Sequence, residues 1–169
     1  VDIAERAGMQ AGSLYYHFAS REELVAEILQ LGIATAFAQV RRAIEELDGS
    51  DVESDPRRRL ETAIRAHTMA VLEQSDYASA QAKIVGQVPP DIAKAHKADK
   101  RSYGAYWNDL LETAANAGVL RADLDLFAAR MLAFGAMNWT TEWFDPSRRL
   151  SADQIADTAV MMIMSGLAK

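Results

Sequence analysis

Apolar residues recur three and four positions apart along almost the whole chain, and no segment alternates between apolar and polar residues as a half-buried strand would. The pattern therefore predicts an all-α protein. Turn and cap signals divide it into eight helices, which cover about residues 1–7, 11–18, 20–47, 56–74, 77–87, 91–116, 125–144 and 152–167. Gly8 and Gly118 follow two of these segments and are expected to end them, because glycine adopts the left-handed conformation without strain.

Polar residues at the predicted helix starts support these boundaries. Ser20 and Glu23 have the spacing of a capping box, in which each side chain accepts a hydrogen bond from the other end of the first turn. Asp55 and Pro56 have the order of an N-cap and a first helical residue. Ser151 is expected to cap the last helix, since its hydroxyl can accept from a free backbone N–H.

The first two predicted helices are short and are joined by a turn at residues 8–10, which is the arrangement of a helix-turn-helix. In the second helix Leu14 and Phe18 lie four residues apart and are expected to pack inward, which leaves the opposite face for the major groove of DNA. The residues expected to meet phosphates and base edges are Gln10, Ala11, Gly12, Ser13, Tyr15, Tyr16, His17 and, at the start of the next helix, Arg21.

Residues 3–24 resemble the DNA-binding domain of TetR-family regulators, chiefly in Leu-Tyr-Tyr-His-Phe at 14–18 and Ser-Arg-Glu-Glu-Leu at 20–24. The resemblance implies that Ser13, Tyr15, Tyr16, His17 and Arg21 contact DNA. Many relatives have lysine at the position of Ala11, so one phosphate contact is expected to come from elsewhere. The family's usual first helix has no counterpart here, so we expect a further helix to precede this sequence.

The remainder of the chain is expected to form the body of such a regulator, which gives a DNA-binding domain over 1–30 and an effector-binding and dimerisation domain over 31–169. Residues 116–125 resemble the start of the family's penultimate helix, with Asp123 or Asp125 as its cap. The resemblance implies that the last two helices form a homodimer interface, through Ala133, Gly135, Ala136, Ala156, Ala159 and Ile163. The alternative is that these are ordinary core helices.

Residues 137–156 resemble the ending of TetR-family members associated with fatty-acid or steroid degradation, whose effectors are often acyl-CoA thioesters. We therefore expect a pocket between the helices at 56–74, 91–116 and 125–144, where Asn138 offers its amide to a carbonyl. Its expected lining residues are Met69, Leu72, Tyr77, Tyr103, Trp107, Leu111, Phe134, Asn138 and Trp139. The same apolar stripe would equally suit a solid core. The basic cluster at 57–59 is interpreted as a solvated helix end balanced by nearby acids.

Composition narrows the function classes. The net charge of −6 argues against nucleic acid, although residues 1–21 are neutral, with Asp2 and Glu5 against Arg6 and Arg21. The chain has no cysteine, which suits a reducing cytoplasm, and no apolar run reaches the roughly 18 residues of a membrane span. We expect a cytoplasmic protein.

Catalytic and metal-binding constellations are missing from the sequence. Its histidines, His17, His67 and His96, have no second histidine three or four residues away, and there is no glycine-rich phosphate loop or nucleophile elbow. His67 is interpreted as a helix-surface or core-edge residue and His96 as exposed. We therefore expect neither an enzyme, nor a metal site, nor a cofactor.

The leading hypothesis is a homodimer that places two copies of the 11–18 helix in successive major grooves, about 34–36 Å apart, until an effector shifts their spacing. Two alternatives stay open. One is a helical interaction module that has lost its affinity for DNA, which the neutral first segment and Ala11 favour. The other is a constitutive repressor whose pocket is filled.

Overall fold

The computed structural model describes residues 10–48, 55–73 and 88–169, together with Glu5, Gly8 and Ile84. Within these ranges every regular element is a helix, as the periodicity predicts. The helices are α1 (Ala11–His17), α2 (Arg21–Asp48), α3 (Pro56–Glu73), α4 (Pro90–Asn116), α5 (Leu126–Trp143) and α6 (Ala152–Leu167). The predicted helices at 1–7 and 77–87 lie almost entirely outside the described residues.

The glycines and the first capping box behave largely as expected. Gly8 and Gly118 have φ angles of 65° and 73°, so both adopt the left-handed conformation, and Gly118 does so just after α4. The Ser20 hydroxyl accepts from the backbone N–H of Glu23 at 3.0 Å. The Glu23 carboxylate, however, accepts from the backbone N–H of Ala19 at 2.6 Å, one residue before the predicted partner. The Glu23 side chain therefore provides a hydrogen-bond acceptor for the backbone of the turn that leads into α2.

The other helix starts also follow their local signals. Asp55 accepts from the backbone N–H two residues further on, at 2.9 Å. Asp125, rather than Asp123, caps α5 by accepting from the N–H three residues on, at 2.8 Å. Ser151 and Gln154 form a complete capping box at the start of α6, with distances of 3.2 and 3.0 Å. Side-chain caps therefore set where these three helices begin.

The third helix lies at the centre of the body and packs against α2, α4, α5 and α6. Its apolar residues are buried on more than one side, as a helix with neighbours all round requires. The largest side chains of the core with almost no exposure are Leu29, Val40, Ile44, Leu60, Ile64, Thr68 and Met137. The one polar member of this set, Thr68, donates its hydroxyl hydrogen to the Ile64 carbonyl at 2.8 Å, so its burial leaves no unpaired donor.

The long helix α2 links the N-terminal segment to the body without a break at residue 30. Although polar residues interrupt its apolar run, it is by length and average composition apolar enough to cross a bilayer, which the sequence reading did not anticipate. Its buried residues, among them Val25, Leu29 and Ile33, form one stripe, and the helix packs against α3 and α4. We interpret α2 as a helix of the protein body that buries one apolar stripe, while other apolar residues such as Leu31 stay exposed.

Candidate DNA-binding helix and effector cavity

The outward face of α1 carries the residues expected to meet DNA. Tyr16 has 86% of its surface exposed, and its ring packs edge-to-face on His17 with centroids 5.2 Å apart. The predicted contact residues whose side chains the structure describes are all exposed: Gln10, Gly12, Ser13, Tyr16, His17 and Arg21. The side chains of Ala11, Leu14 and Tyr15 lie outside the described part of the chain.

Gly12 has room for a side chain within the protein. A Cβ added there would meet no atom within 4 Å, and its φ lies outside the left-handed region. Packing within the chain therefore does not require glycine at this position. The predicted role gives a reason for glycine here: without a side chain, this part of α1 allows a DNA backbone to approach closely.

The body contains a cavity of about 1090 Å³ lined by residues of α2, α3, α4 and α5. Four of the predicted effector residues line it: Tyr103, Phe134, Asn138 and Trp139. Phe134 and Tyr103 contact each other with ring centroids 5.9 Å apart, and together with the exposed Phe127 and Trp139 they form an aromatic wall. The volume is at the upper end of that of small-molecule sites, which run to about 1,000 Å³.

Other predicted lining residues are placed elsewhere. Trp107 and Leu111 are only 2% and 3% exposed and border a separate void of about 10 Å³, which is no larger than a water molecule requires. Leu72 is buried and Met69 half-buried, and neither lines the wide cavity. Trp107, Leu111 and Leu72 share the apolar spacing of the lining residues but belong to the packed core. Tyr77 lies outside the described residues.

A hydrogen-bonded group of three side chains joins α3, α4 and α5 at the cavity wall. His67 Nδ1 lies 2.9 Å from the Tyr103 hydroxyl, and His67 Nε2 lies 3.2 Å from Asn138 Oδ1. Burial lowers the pKa of His67 to about 4, and the hydrogen bond to Asn138 offsets only part of this effect. His67 is therefore neutral at physiological pH. Burial likewise raises the pKa of Tyr103, which keeps its hydroxyl protonated.

Cations predominate among the charged residues that line the cavity. Lys97, Lys100 and Arg101 follow one face of α4 at three- and four-residue spacing, and Arg130 joins them from α5. Glu142 is the one acidic residue among the described lining residues. The combination of an aromatic wall and an excess of positive charge suits a ligand with an apolar body and an anionic group.

Arg130 is held without a carboxylate among the described residues. Its guanidinium donates to the Gly104 carbonyl at 2.9 Å and lies 5.6 Å from the centre of the Phe127 ring. Its Nε is buried with no hydrogen-bond partner. A Cβ at Gly104 would overlap the guanidinium, so any larger residue there would displace the end of the Arg130 side chain. Arg130 thus brings to the cavity wall a positive charge that no described carboxylate pairs with.

Both parts of the chain match known family models. The model described as "Bacterial regulatory proteins, tetR family" matches residues 1–28, and that described as "Tetracyclin repressor-like, C-terminal domain" matches residues 53–167. The chain belongs to the TetR family. This membership places it among transcriptional regulators with a helix-turn-helix domain and an all-helical body, as its sequence predicts.

Similar TetR-family proteins include repressors of known name. The HTH-type transcriptional repressor KstR2 of Mycobacterium tuberculosis is 27% identical over 173 residues, covering 99% of this chain and 82% of the relative. The structure of ketosteroid transcriptional regulator KstR2 of the same organism has a TM-score of 0.80 at 26% identity, over 99% of this chain and 83% of that one. AibR in complex with isovaleryl coenzyme A and operator DNA has a TM-score of 0.72 at 24% identity, over 95% and 84% of the two chains.

The residues predicted to form the dimer surface of this TetR-family chain differ in how far they are buried. Gly135 and Ala136 are exposed, whereas Ala133, Ala159 and Ile163 are half-buried between their own helix and the core. Ala156 has 0% exposure within the single chain, so it has no surface to offer a partner and does not belong in the set. The predicted set does not include the large exposed apolar residues of α5 and α6 that line neither of the two cavities: Leu132, Trp143, Met161 and Met162.

Of the two histidines in the body, His96 differs from expectation, whereas His67 lies at the edge of the core, one of its two predicted positions. His96 is 5% exposed rather than solvent-exposed, and burial is the main cause that lowers its pKa. His67 is 4% exposed and lines the cavity. No pattern around His67 in the sequence marks it, because its partners come from helices far away along the chain. The basic residues at 97, 100 and 101 do show one-face helical spacing, which could have marked them.

Proposed function

We propose that the chain is a homodimeric, ligand-responsive transcriptional repressor. It binds a near-palindromic operator and leaves it when a metabolite with an apolar body and an anionic head, of the acyl-CoA type, occupies the wide cavity. The observation that carries the proposal is this cavity of about 1090 Å³, with its aromatic wall and four cations against one carboxylate. A chain with a filled pocket, acting as a constitutive repressor, would offer no such volume.

The cavity chemistry supports an acyl-CoA thioester over a neutral or cationic effector. Phosphate groups suit Arg130 and the three cations of α4, because Arg and Lys form charge-assisted hydrogen bonds with phosphate. The acyl body would remove apolar surface from water against Phe134 and Trp139, at about 25 cal/mol per Å². AibR, whose fold is similar, binds isovaleryl coenzyme A, which is a thioester of this class.

The DNA-binding role rests on α1. Its exposed Tyr16 and His17 suit base-edge and phosphate contacts, and the predicted contact set remains the working set for the operator interface. Two such helices in a two-fold dimer would read half-sites about 34–36 Å apart. The exposed apolar residues of α5 and α6 support that dimer, because large apolar side chains on a surface favour burial against a second chain.

The second helix offers a direct connection between the two sites. Gly32, Ile33 and Ala36 line the cavity, while Arg21 begins the same helix four residues after α1 ends at His17. At a rise of about 1.5 Å per residue, roughly 18 Å of continuous helix separate Arg21 from Ile33. A ligand that displaces the middle of α2 would therefore also move α1. The effector must favour the displaced form, or the operator equilibrium would not shift.

Operator release titrated with a ligand panel tests the proposal. The panel contains acyl-CoA thioesters of increasing chain length and ring content, the corresponding free acids, coenzyme A alone and a cationic aromatic drug. We expect release by one class of thioester at concentrations where coenzyme A and the free acid fail. Arg130→Gln should weaken that release while the apo protein still binds the operator. Release by the cationic drug alone would refute the acyl-CoA class.

A further inference from the structure

The group formed by His67, Tyr103 and Asn138 is a second polar feature of the cavity, distinct from its cations. It lies in the aromatic part of the wall, where the rings of His67 and Phe134 contact edge-to-face with centroids 4.9 Å apart. His67 is 4% exposed and Tyr103 is 7% exposed, whereas Asn138 is exposed and lines the cavity. Two buried side chains therefore support one amide that faces the ligand space.

The donors and acceptors of the three side chains determine which atom donates in each of their two hydrogen bonds. Asn138 Oδ1 can only accept, so His67 Nε2 must carry the hydrogen that it donates across 3.2 Å. In a neutral imidazole the other nitrogen, Nδ1, then has a lone pair and accepts from the Tyr103 hydroxyl at 2.9 Å. The reverse direction would leave the buried hydroxyl of Tyr103 without an acceptor among the described residues, which is costly.

This direction of the hydrogen bonds leaves the NH₂ group of Asn138 for the ligand. With its oxygen held by His67, the Asn138 side chain presents its NH₂ group, which no described residue accepts from. The amide is therefore a donor at this point of the cavity and cannot turn over to become an acceptor without breaking the bond to His67. Thus an acceptor on the ligand is favoured here.

We propose that Asn138 is a specificity-determining residue that donates to a carbonyl within the apolar body of the effector, and that His67 is the positioning residue that fixes its amide. This inference rests on the proposed role of the cavity as the ligand site. It adds that the effector's body is oxygenated: a ring ketone or a chain carbonyl is recognised, and a saturated hydrocarbon body is disfavoured. Because acyl-CoA thioesters with saturated bodies share the same anionic head, this preference separates members of one class.

Neutral probes isolate the donor from the cation cluster. The full chain is titrated with 2-decalone, with decalin and with 2-decalol, and binding is followed by tryptophan fluorescence and by calorimetry. These probes share one apolar skeleton and differ only in the oxygen, and none has an anionic head. One net hydrogen bond corresponds to roughly fivefold in affinity. We therefore expect 2-decalone to bind about fivefold more tightly than decalin. Equal binding of the two, or binding of neither, would overturn the proposal.

Variants then assign the selectivity to residues. Asn138→Leu should abolish the preference for the ketone while decalin binds as well as before. Asn138→Asp replaces the donor with an acceptor and should favour 2-decalol over 2-decalone. His67→Phe fills a similar volume and leaves Asn138 in place, so loss of the ketone preference with decalin binding retained would identify positioning rather than general damage. Retention of the preference in Asn138→Leu would contradict the assignment.

A milder variant tests the same role even if His67→Phe fails to fold. Tyr103→Phe removes only the hydroxyl that sets the tautomer of His67, and it should reduce the ketone preference without removing it. Operator release by acyl-CoA thioesters is measured in parallel on every variant. If release occurs but the probes show no ketone preference, the carbonyl donor is refuted and the repressor proposal stands. If no thioester causes release while the preference is present, the proposed effector class fails instead.

Discussion

Single exposed residues of α1 separate DNA binding from folding. Tyr16 is 86% exposed and contacts the neighbouring ring of His17, so its loss removes little core packing. We predict that Tyr16→Ala weakens operator binding by about 1–3 kcal/mol and changes the unfolding free energy by less than about 0.5 kcal/mol. Fluorescence anisotropy with a labelled operator and urea unfolding measure the two quantities. Unchanged operator affinity would place the reading surface elsewhere.

Gly12 offers a second test in which stability and affinity move in opposite directions. Since an added Cβ meets nothing within 4 Å, Gly12→Ala should fold normally and gain up to about 1 kcal/mol from its better helix propensity. On DNA the same methyl group would stand where the backbone approaches, so operator affinity should fall several-fold. Equal affinity for both proteins would show that this part of α1 does not closely approach the duplex.

The buried His67 makes stability depend on pH. Its pKa is lowered to about 4 in the folded protein, below the ordinary 6.5, so between these values the unfolded chain binds a proton that the folded chain excludes. Stability is therefore retained above pH 6.5 and is lost as the pH falls towards 4, by roughly 3 kcal/mol in total. His67→Gln should show a smaller fall in urea unfolding over this range. His96 acts in the same direction and is common to both proteins, so the difference between them isolates His67.

At the scale of elements, helix boundaries were predictable because their causes are local. Asp125 and Ser151 begin their helices through bonds that span three residues, and Gly118 ends α4 by its own conformation. The shift of the Glu23 carboxylate from Ser20 to Ala19 is the type of detail that spacing alone does not resolve. Local signals therefore accounted for most of the helix starts and stops.

The cavity was only partly predictable, for a reason that is also physical. Trp107 and Tyr103 lie one turn apart on α4, yet one borders the small core void and the other lines the wide cavity. Periodicity identifies the inward face of a helix but cannot tell packed core from empty space beside it. His67 and Arg130 were not predicted for a different reason: their partners Asn138 and Gly104 lie on other helices, far away along the chain.

The capping box of α6 yields a prediction at this scale. Ser151 accepts from the Gln154 backbone N–H at 3.2 Å, and removing that hydroxyl leaves a first-turn donor without its partner. Ser151→Ala should lower the unfolding free energy by about 1 kcal/mol at a fixed protein concentration. Ser102→Ala on the exposed face of α4 is the matched control and should be neutral or slightly stabilising. Equal effects of the two substitutions would mean that the cap does not stabilise α6.

For the whole molecule, the distribution of charge matters more than its total. The net charge of −6 would repel DNA if it were uniform, but the basic residues Lys97, Lys100 and Arg101 are gathered at the cavity rather than on α1. Since α1 itself contains no lysine or arginine, its part of the proposed operator contact would come from hydrogen bonds of its polar side chains. In the proposed dimer a second copy of α1 would bind the same duplex, so we expect dimerisation to contribute strongly to operator affinity.

The proposed dimer surface is best tested at Leu132. Gly135 is exposed but also lines the cavity, so its replacement would disturb effector and partner together. Leu132 is 75% exposed, lines no cavity and lies on α5, so a longer polar side chain fits the single chain. In a dimer joined by α5 and α6, Leu132→Glu would bury an unpaired charge at a cost of several kcal/mol.

We therefore predict that Leu132→Glu converts the dimer to a monomer with native helix content, as measured by light scattering and circular dichroism. Operator affinity should fall with it, since a monomer engages one half-site and loses the benefit of the second. Leu31→Glu, which places the same charge on an exposed leucine of α2, is the control and should remain dimeric. A dimer that persists in Leu132→Glu at the concentrations where the unmodified chain is dimeric would move the interface away from this face of α5. The half-site spacing expected for the operator would then have to be derived from a different pairing of the two chains.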